Sequence, residues 1–288
     1  MQLFVISGLS GSGKSVALRA LEDRGYYCVD NLPADLLPRL VQHLQFIGYT
    51  HLAVSVDVRS ANSVRHLPTL VKSIREQEVD VHVLFLDAQN STLVKRFSET
   101  RRMHPLSNPL FQQEDMVACT LAECVEYERE LLSSISDIGH RIDTTETSAN
   151  ALRAWITQLI KMDRANLTIL FQSFGFKHGI PLDADLVFDV RCLPNPYYEL
   201  PLRHLTGRDS PVIEFLQSVP ETQRMFDDIR QFVDHWMPRY IADNRSYLTV
   251  AVGCTGGQHR SVYLTEQLAR HFLQQQQQVL LRHRELKV

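Results

Sequence analysis

An apolar run at residues 3–6 opens onto Gly8-Leu9-Ser10-Gly11-Ser12-Gly13-Lys14-Ser15 and then onto a helical pattern. These residues match G-x-x-x-x-G-K-[ST], the Walker A pattern, in the strand-to-helix context it needs. Glycines let the backbone curl until successive N–H groups face one concavity, and the helix N-terminus adds positive potential to it. Such a loop is built to hold phosphate oxygens. Lys14 would reach the β- and γ-phosphates of ATP or GTP, and the Ser15 hydroxyl would ligate Mg²⁺.

The strand feeding the loop also sets the fold class. Strands are expected at 3–7, 26–30, 52–57, 81–87 and 138–143, with helices at 15–24, 34–46, 63–76, 92–100, 112–132 and 148–162. Continuous apolar strands separated by helix-length segments imply a parallel sheet covered on both faces. A second, smaller α/β pattern follows, with strands at 167–171, 186–189 and 247–252 and helices at 211–218, 222–238 and 261–273. The expected units are 1–163 and 164–288, parted in the polar stretch KMDRAN. The glutamines at 274–278 read as a solvated helix end.

A magnesium-binding acid should end a strand beside the loop. Asp87, after Val83-Leu84-Phe85-Leu86, is favoured, and Asp57 and Asp30 compete with it. Any of the three could instead cap the next helix. Arg101 and Arg102, in Arg96-Phe97-Ser98-Glu99-Thr100-Arg101-Arg102-Met103-His104-Pro105, stand where small nucleotide kinases carry an arginine lid that grips phosphate, or else form a solvated basic helix end.

A second small-residue loop, Gly253-Cys254-Thr255-Gly256-Gly257-Gln258-His259-Arg260-Ser261, joins another apolar strand to another helix. One reading is a sugar-phosphate or anion site, with Arg260 and His259 as donors. The other is a cysteine-dependent phosphatase through the Cys254-x5-Arg260 spacing, for which no general acid is evident. The plain alternative is a structural turn with a buried cysteine.

The chain carries 30 Lys+Arg against 33 Asp+Glu, a net charge of −3, so it is not a uniformly basic nucleic-acid binder. Its hydrophobic fraction of 44% excludes disorder over most of its length. Cys28, Cys119, Cys124, Cys192 and Cys254 form neither a disulfide framework nor a zinc pattern. With neither a signal-peptide pattern nor a long apolar span, a cytoplasmic protein with no membrane contact is expected.

GLSGSGKSVALRALEDRGYYCVDNLP, ETRRMHPL, FQSFGFKHGIPLDADLVFDVR, LPNPYY and NRSYLTVAVGCTGGQHRSVYLTEQL together resemble the RapZ/YvcJ family of bacterial P-loop nucleotide-binding proteins, over nearly the whole chain. The resemblance implies weak ATPase and GTPase activity rather than an established metabolic kinase. A small-molecule kinase is the competing reading. It also implies an RNase adapter: a C-terminal unit that binds small regulatory RNA and the amino sugar glucosamine-6-phosphate, presents the RNA to an RNase E-type nuclease, and assembles as a homo-oligomer, a tetramer in enterobacterial members. Ser246, Thr255, Gly256 and Arg260 match the family's sugar-phosphate pocket, and Cys254, Gly257 and His259 share that loop. Tyr197 stands where enterobacterial members have a histidine. Their tail is a lysine- and arginine-rich run, whereas this chain offers Arg282, His283, Arg284 and Lys287, either as RNA contacts or as an ordinary solvated terminus.

Overall fold

The computed structural model describes residues 1–60, 64–107, 120–136, 138–160, 167–243, 245 and 247–286. The chain divides into two compact units, Met1–Ile160 and Lys161–Val288. The expected 163/164 boundary lies outside the described residues.

In the first unit, β1 (Gln2–Gly8), β2 (Tyr27–Val29), β3 (His51–Ser55), β4 (Asp80–Asp87) and β5 (His140–Asp143) form one parallel sheet in the order β2-β3-β1-β4-β5. β1 therefore lies between β3 and β4, in register from Leu3 against Leu52 and Val81. Its apolar side chains are buried on both faces, which is why it shows no polar alternation. Helices α1 (Lys14–Glu22), α2 (Leu37–Phe46), α3 (Leu67–Arg75), α4 (Asn90–Thr100), α5 (Leu121–Leu132) and α6 (Ala149–Ile160) accompany the sheet. The expected helix 34–46 begins as a 3-10 turn, Ala34–Leu36, with Pro38 in the first turn of α2. Proline lacks the N–H that a helix interior uses and is tolerated there. α5 starts at a capping box, with the Thr120 side chain accepting from Glu123 N and the Glu123 side chain accepting from Thr120 N. Its expected first part, 112–119, lies outside the described residues.

The second unit is also a parallel α/β layer. β6 (Thr168–Gly175), β7 (Leu186–Asp189), β8 (Tyr247–Cys254) and β9 (Gln278–His283) run in the order β7-β8-β6-β9. The helices are α7 (Ser210–Gln217), α8 (Pro220–Ala242) and α9 (Arg260–Gln274). α8 runs through the exposed Pro238, past the expected end of the helix. Its core gathers Phe171, Leu248, Val250, Leu264, Leu268 and Phe272.

The tail departs most from expectation. Residues 278–283 are an edge strand paired with β6, with Leu280 buried; Gln274–Gln276 are exposed where α9 ends, as expected, while Gln278 already opens the strand. Arg282 faces Asp183 at 3.6 Å. His283 sits between Ser173 Oγ at 2.8 Å and Glu266 Oε1 at 3.2 Å. Arg284 donates to the carbonyls of His178 at 2.8 Å and Gly179 at 2.7 Å. These side chains are held by the fold rather than presented as a free basic tail, and Lys287 lies outside the described residues.

Among the described residues no helix is long and apolar enough to cross a membrane. Cys28, Cys192 and Cys254 are free, whereas Cys124 is disulfide-bonded, so the scattered cysteines are not all unpaired.

Leu280→Ala should lower the unfolding free energy of the second unit by about 2–3 kcal/mol, measured by denaturant titration. A solvated tail would show almost no loss.

Candidate functional site

The loop Gly8–Ser15 leaves the carboxyl end of the central strand. Gly8 has φ +130° and lies beside Leu86 of β4, where a Cβ would overlap the Leu86 carbonyl. Gly13 has φ +111°, and a Cβ there would meet Leu152 of α6 at 2.7 Å. Both positions therefore require glycine. Lys14 Nζ turns back over the loop and donates to Gly8 O at 2.7 Å and Leu9 O at 3.2 Å. Ser12 Oγ is buried without a hydrogen-bond partner, and Ser15 is exposed at the start of α1.

A collar of side chains shapes the loop, and sequence reasoning overlooked most of it. Thr144, just past β5, has Oγ1 2.9 Å from Ser12 O. Arg96 of α4 donates from Nη1 to Gly11 O at 3.1 Å and from Nη2 to Thr144 O at 2.5 Å. Burial pulls this guanidinium below its ordinary range, against the carboxylates of Asp143, Glu146 and Glu99. Arg101, with φ 52° at the end of α4, and Arg102 are exposed, so the arginine touching the loop is an earlier one on that helix. Glu128 of α5 accepts from Ser10 N at 2.9 Å and from Ser10 Oγ at 2.8 Å. His104 Nε2 is 3.0 Å from the same carboxylate. Burial alone would raise the Glu128 carboxyl, but His104, through its hydrogen bond and its field, the Lys14 charge and the Ser10 N–H together hold it below the usual range. The sequence did carry a signal: Glu128 falls on the buried stripe with Cys124, Val125 and Leu132, where a carboxylate is out of place.

Asp87 is not the free acid expected for magnesium. It is fully buried, and its oxygens accept from Ala88 N at 2.7 Å, from Arg129 Nη1 at 2.9 Å and from Arg141. Two guanidinium groups use the lone pairs that a metal would need. Asp57, just past β3 on the other side of β1, accepts from Arg59 N at 3.0 Å. With its amide oriented to satisfy its neighbours, Asn31 donates to Asp57 Oδ2 at 2.8 Å. Asp30 accepts from Ser55 Oγ.

In the second unit, the loop Cys254–Arg260 joins β8 to α9. Arg260 does not project a fork toward solvent. It is 4% exposed, and its Nη1 donates to the carbonyls of Arg191 and Leu193, both at 2.8 Å. Carbonyls past the end of β7 need donors, and this guanidinium supplies them, while its Nε is left without a partner. Cys254 is 3% exposed with Sγ 3.1 Å from Ser261 Oγ, a placement that withholds the thiol from an attacking role. His259 is buried, with Nε2 3.2 Å from Leu202 O. Burial, with Arg260 alongside, holds its imidazole below the ordinary range against the bonds its ring makes to carbonyls. Thr255 is exposed, Gly256 half-buried and Gly257 buried. Tyr197 is exposed under the Arg203 guanidinium, 4.7 Å from its ring centre. Ser246 lies outside the described residues.

Residues 1–164 match the family described as the RapZ-like N-terminal domain, and residues 167–287 match the RapZ C-terminal domain. A nucleotide-binding protein of Methylobacillus flagellatus is 55% identical over 287 residues, covering 100% of this chain and 99% of that one. One from Aromatoleum aromaticum is 59% identical over 285 residues, covering 99% of this chain and 94% of that one. The solved shikimate kinase from Acinetobacter baumannii in complex with shikimate aligns over 56% of this chain and 95% of that one, at 15% identity and a TM-score of 0.37.

Asp87→Asn should cost about 3 kcal/mol of stability in denaturant titration, because it weakens a buried charge cluster. An acid held only for metal would show no such loss. His259 and His283 are both held below the ordinary value of 6.5, chiefly by burial. Below that pH the unfolded chain binds more protons than the native one. The thermal midpoint of the second unit should therefore hold above pH 6.5 and fall as acidification proceeds toward the lowered native values.

Proposed function

The chain belongs to the RapZ family, and on that premise we propose that its first unit binds ATP or GTP with Mg²⁺ and hydrolyses it slowly. The observation that carries this reading is the loop Gly8–Ser15 at the end of the central strand, with its two obligatory glycines and the Lys14 ammonium lying over it. The curated relatives are named nucleotide-binding proteins. The donor set suits a hard cation: Ser15 offers an exposed hydroxyl and Asp57 a carboxylate just past β3, the strand beside β1, so these two would hold Mg²⁺ in preference to Asp87. Bound there, the ion neutralises phosphate charge. Arg96 and Thr144 hold the loop's carbonyls and keep its N–H groups turned inward.

The second unit, on this reading, takes a phosphorylated amino sugar at the carboxyl ends of β7 and β8. Thr255 and Gly256 lie at its entrance, and Arg260 braces its wall. The protein then acts in the cytoplasm as a homo-oligomeric adapter between small regulatory RNA and an RNase E-type nuclease. Arg282, His283 and Arg284 are engaged within the fold, so an RNA surface has to draw on other cations.

Lys14→Ala should weaken ATP and GTP binding at least tenfold in calorimetry, a loss of about 1.5–3 kcal/mol, and abolish hydrolysis with the fold intact. Unchanged binding would remove the nucleotide reading. For the second unit, glucosamine-6-phosphate binding should survive Cys254→Ser and be lost in Thr255→Val, whereas phosphatase turnover abolished by Cys254→Ser would reverse that assignment.

A further inference from the structure

One carboxylate beside the phosphate loop has no part in the reading above. Glu128 is fully buried on α5, and each of its oxygens is occupied. Oε2 accepts from Ser10 N at 2.9 Å and faces His104 Nε2 at 3.0 Å, while Oε1 accepts from Ser10 Oγ at 2.8 Å. His104 accepts at Nδ1 from Leu106 N at 3.2 Å. A ring accepting at Nδ1 donates from Nε2. The nearest partners of Glu128 thus meet its charge as hydrogen-bond donors. Lys14 feels that charge, and Lys14 is the cation that a loop of this kind offers to the β- and γ-phosphates.

We propose that Glu128 sets the phosphate-chain preference of this loop by disfavouring a nucleoside triphosphate relative to the diphosphate. The inference rests on the nucleotide reading above and deepens it. A γ-phosphate adds negative charge within the field of Lys14, where a buried carboxylate already stands in a medium of low dielectric. A diphosphate places less charge there. The geometry also separates charge from packing. In Glu128→Gln the amide oxygen can accept from Ser10 N–H and His104 N–H as Oε2 does, and the amide NH₂ can donate to the Ser10 hydroxyl. Every contact survives and only the charge is lost.

Calorimetry on the full chain with Mg²⁺ tests this, using ATP and ADP as probes. Glu128→Gln should bind ATP about tenfold more tightly than wild type, with ADP affinity changed by no more than about twofold. Glu128→Asp keeps the charge and should leave the ATP-to-ADP ratio near the wild-type value. Equal shifts for the two nucleotides, an unchanged ATP affinity in Glu128→Gln, or the same ratio change in Glu128→Asp would each overturn the proposal. A wild-type chain that binds neither nucleotide removes the nucleotide reading and this inference with it, a result distinguishable from the other three.

Discussion

The geometry of the phosphate loop depends on the burial of Asp87 among two guanidinium groups. A carboxylate with no exposure costs several kcal/mol unless its oxygens are paired. Asp87 is paired with Arg129 from α5 and Arg141 from β5, and the same Arg129 holds Ala88 O at 2.8 Å and Asn90 Oδ1 at 2.9 Å. One side chain therefore fastens α5 to the end of β4 and to the start of α4. Glu128 is the preceding residue on α5. Fixing Arg129 fixes where Glu128 stands, and Glu128 grips Ser10 by both its N–H and its hydroxyl. Constraint passes from the sheet through a helix to a loop whose own glycines cannot fix its shape.

The two units solve a similar problem from different strands. Numbered within each unit, both sheets run second, third, first, fourth, and the first unit adds a fifth strand at its edge. In the first unit the anion loop follows the first strand, β1, at the centre of the sheet. In the second, the small-residue loop follows the third strand, β8, and the first strand, β6, ends instead in Gly175 and the turn Phe176–His178. Parallel strands gather their loops at one end, so either choice brings a helix N-terminus beside neighbouring strand ends. The difference lies in the cation. Lys14 lies half-buried over its loop, whereas Arg260 is spent on carbonyls of the chain leaving β7.

The parts legible in the sequence were those with local causes. Buried parallel strands show unbroken apolar runs, and the phosphate loop shows its glycines and lysine at fixed spacing. What escaped depends on partners far along the chain. Asp57 follows β3 and Asp87 ends β4, on either side of β1, and the two look alike in sequence until Arg129 and Arg141 separate them. β9 escaped because Val279-Leu280-Leu281 is a short apolar run between glutamines and basic residues, and its strand character comes from pairing with β6. Arg260 was legible as a charged residue at a helix start, yet its role follows from two carbonyls on another strand's exit. Arg96 was passed over for Arg101 and Arg102, since nothing local distinguishes the arginine that meets Gly11 O.

The hydrogen bonding around Glu128 follows from one backbone N–H. Leu106 N–H occupies Nδ1 of His104, from the short 3-10 turn Pro105–Ser107. The turn thus presents Nε2 of the ring as the donor to Glu128, whose other partners are the N–H and hydroxyl of Ser10. The donors of Arg96 are committed to Gly11 O and to Thr144. Glu128 feels the Lys14 charge across the loop, and any anion entering there meets a field already shared between the two.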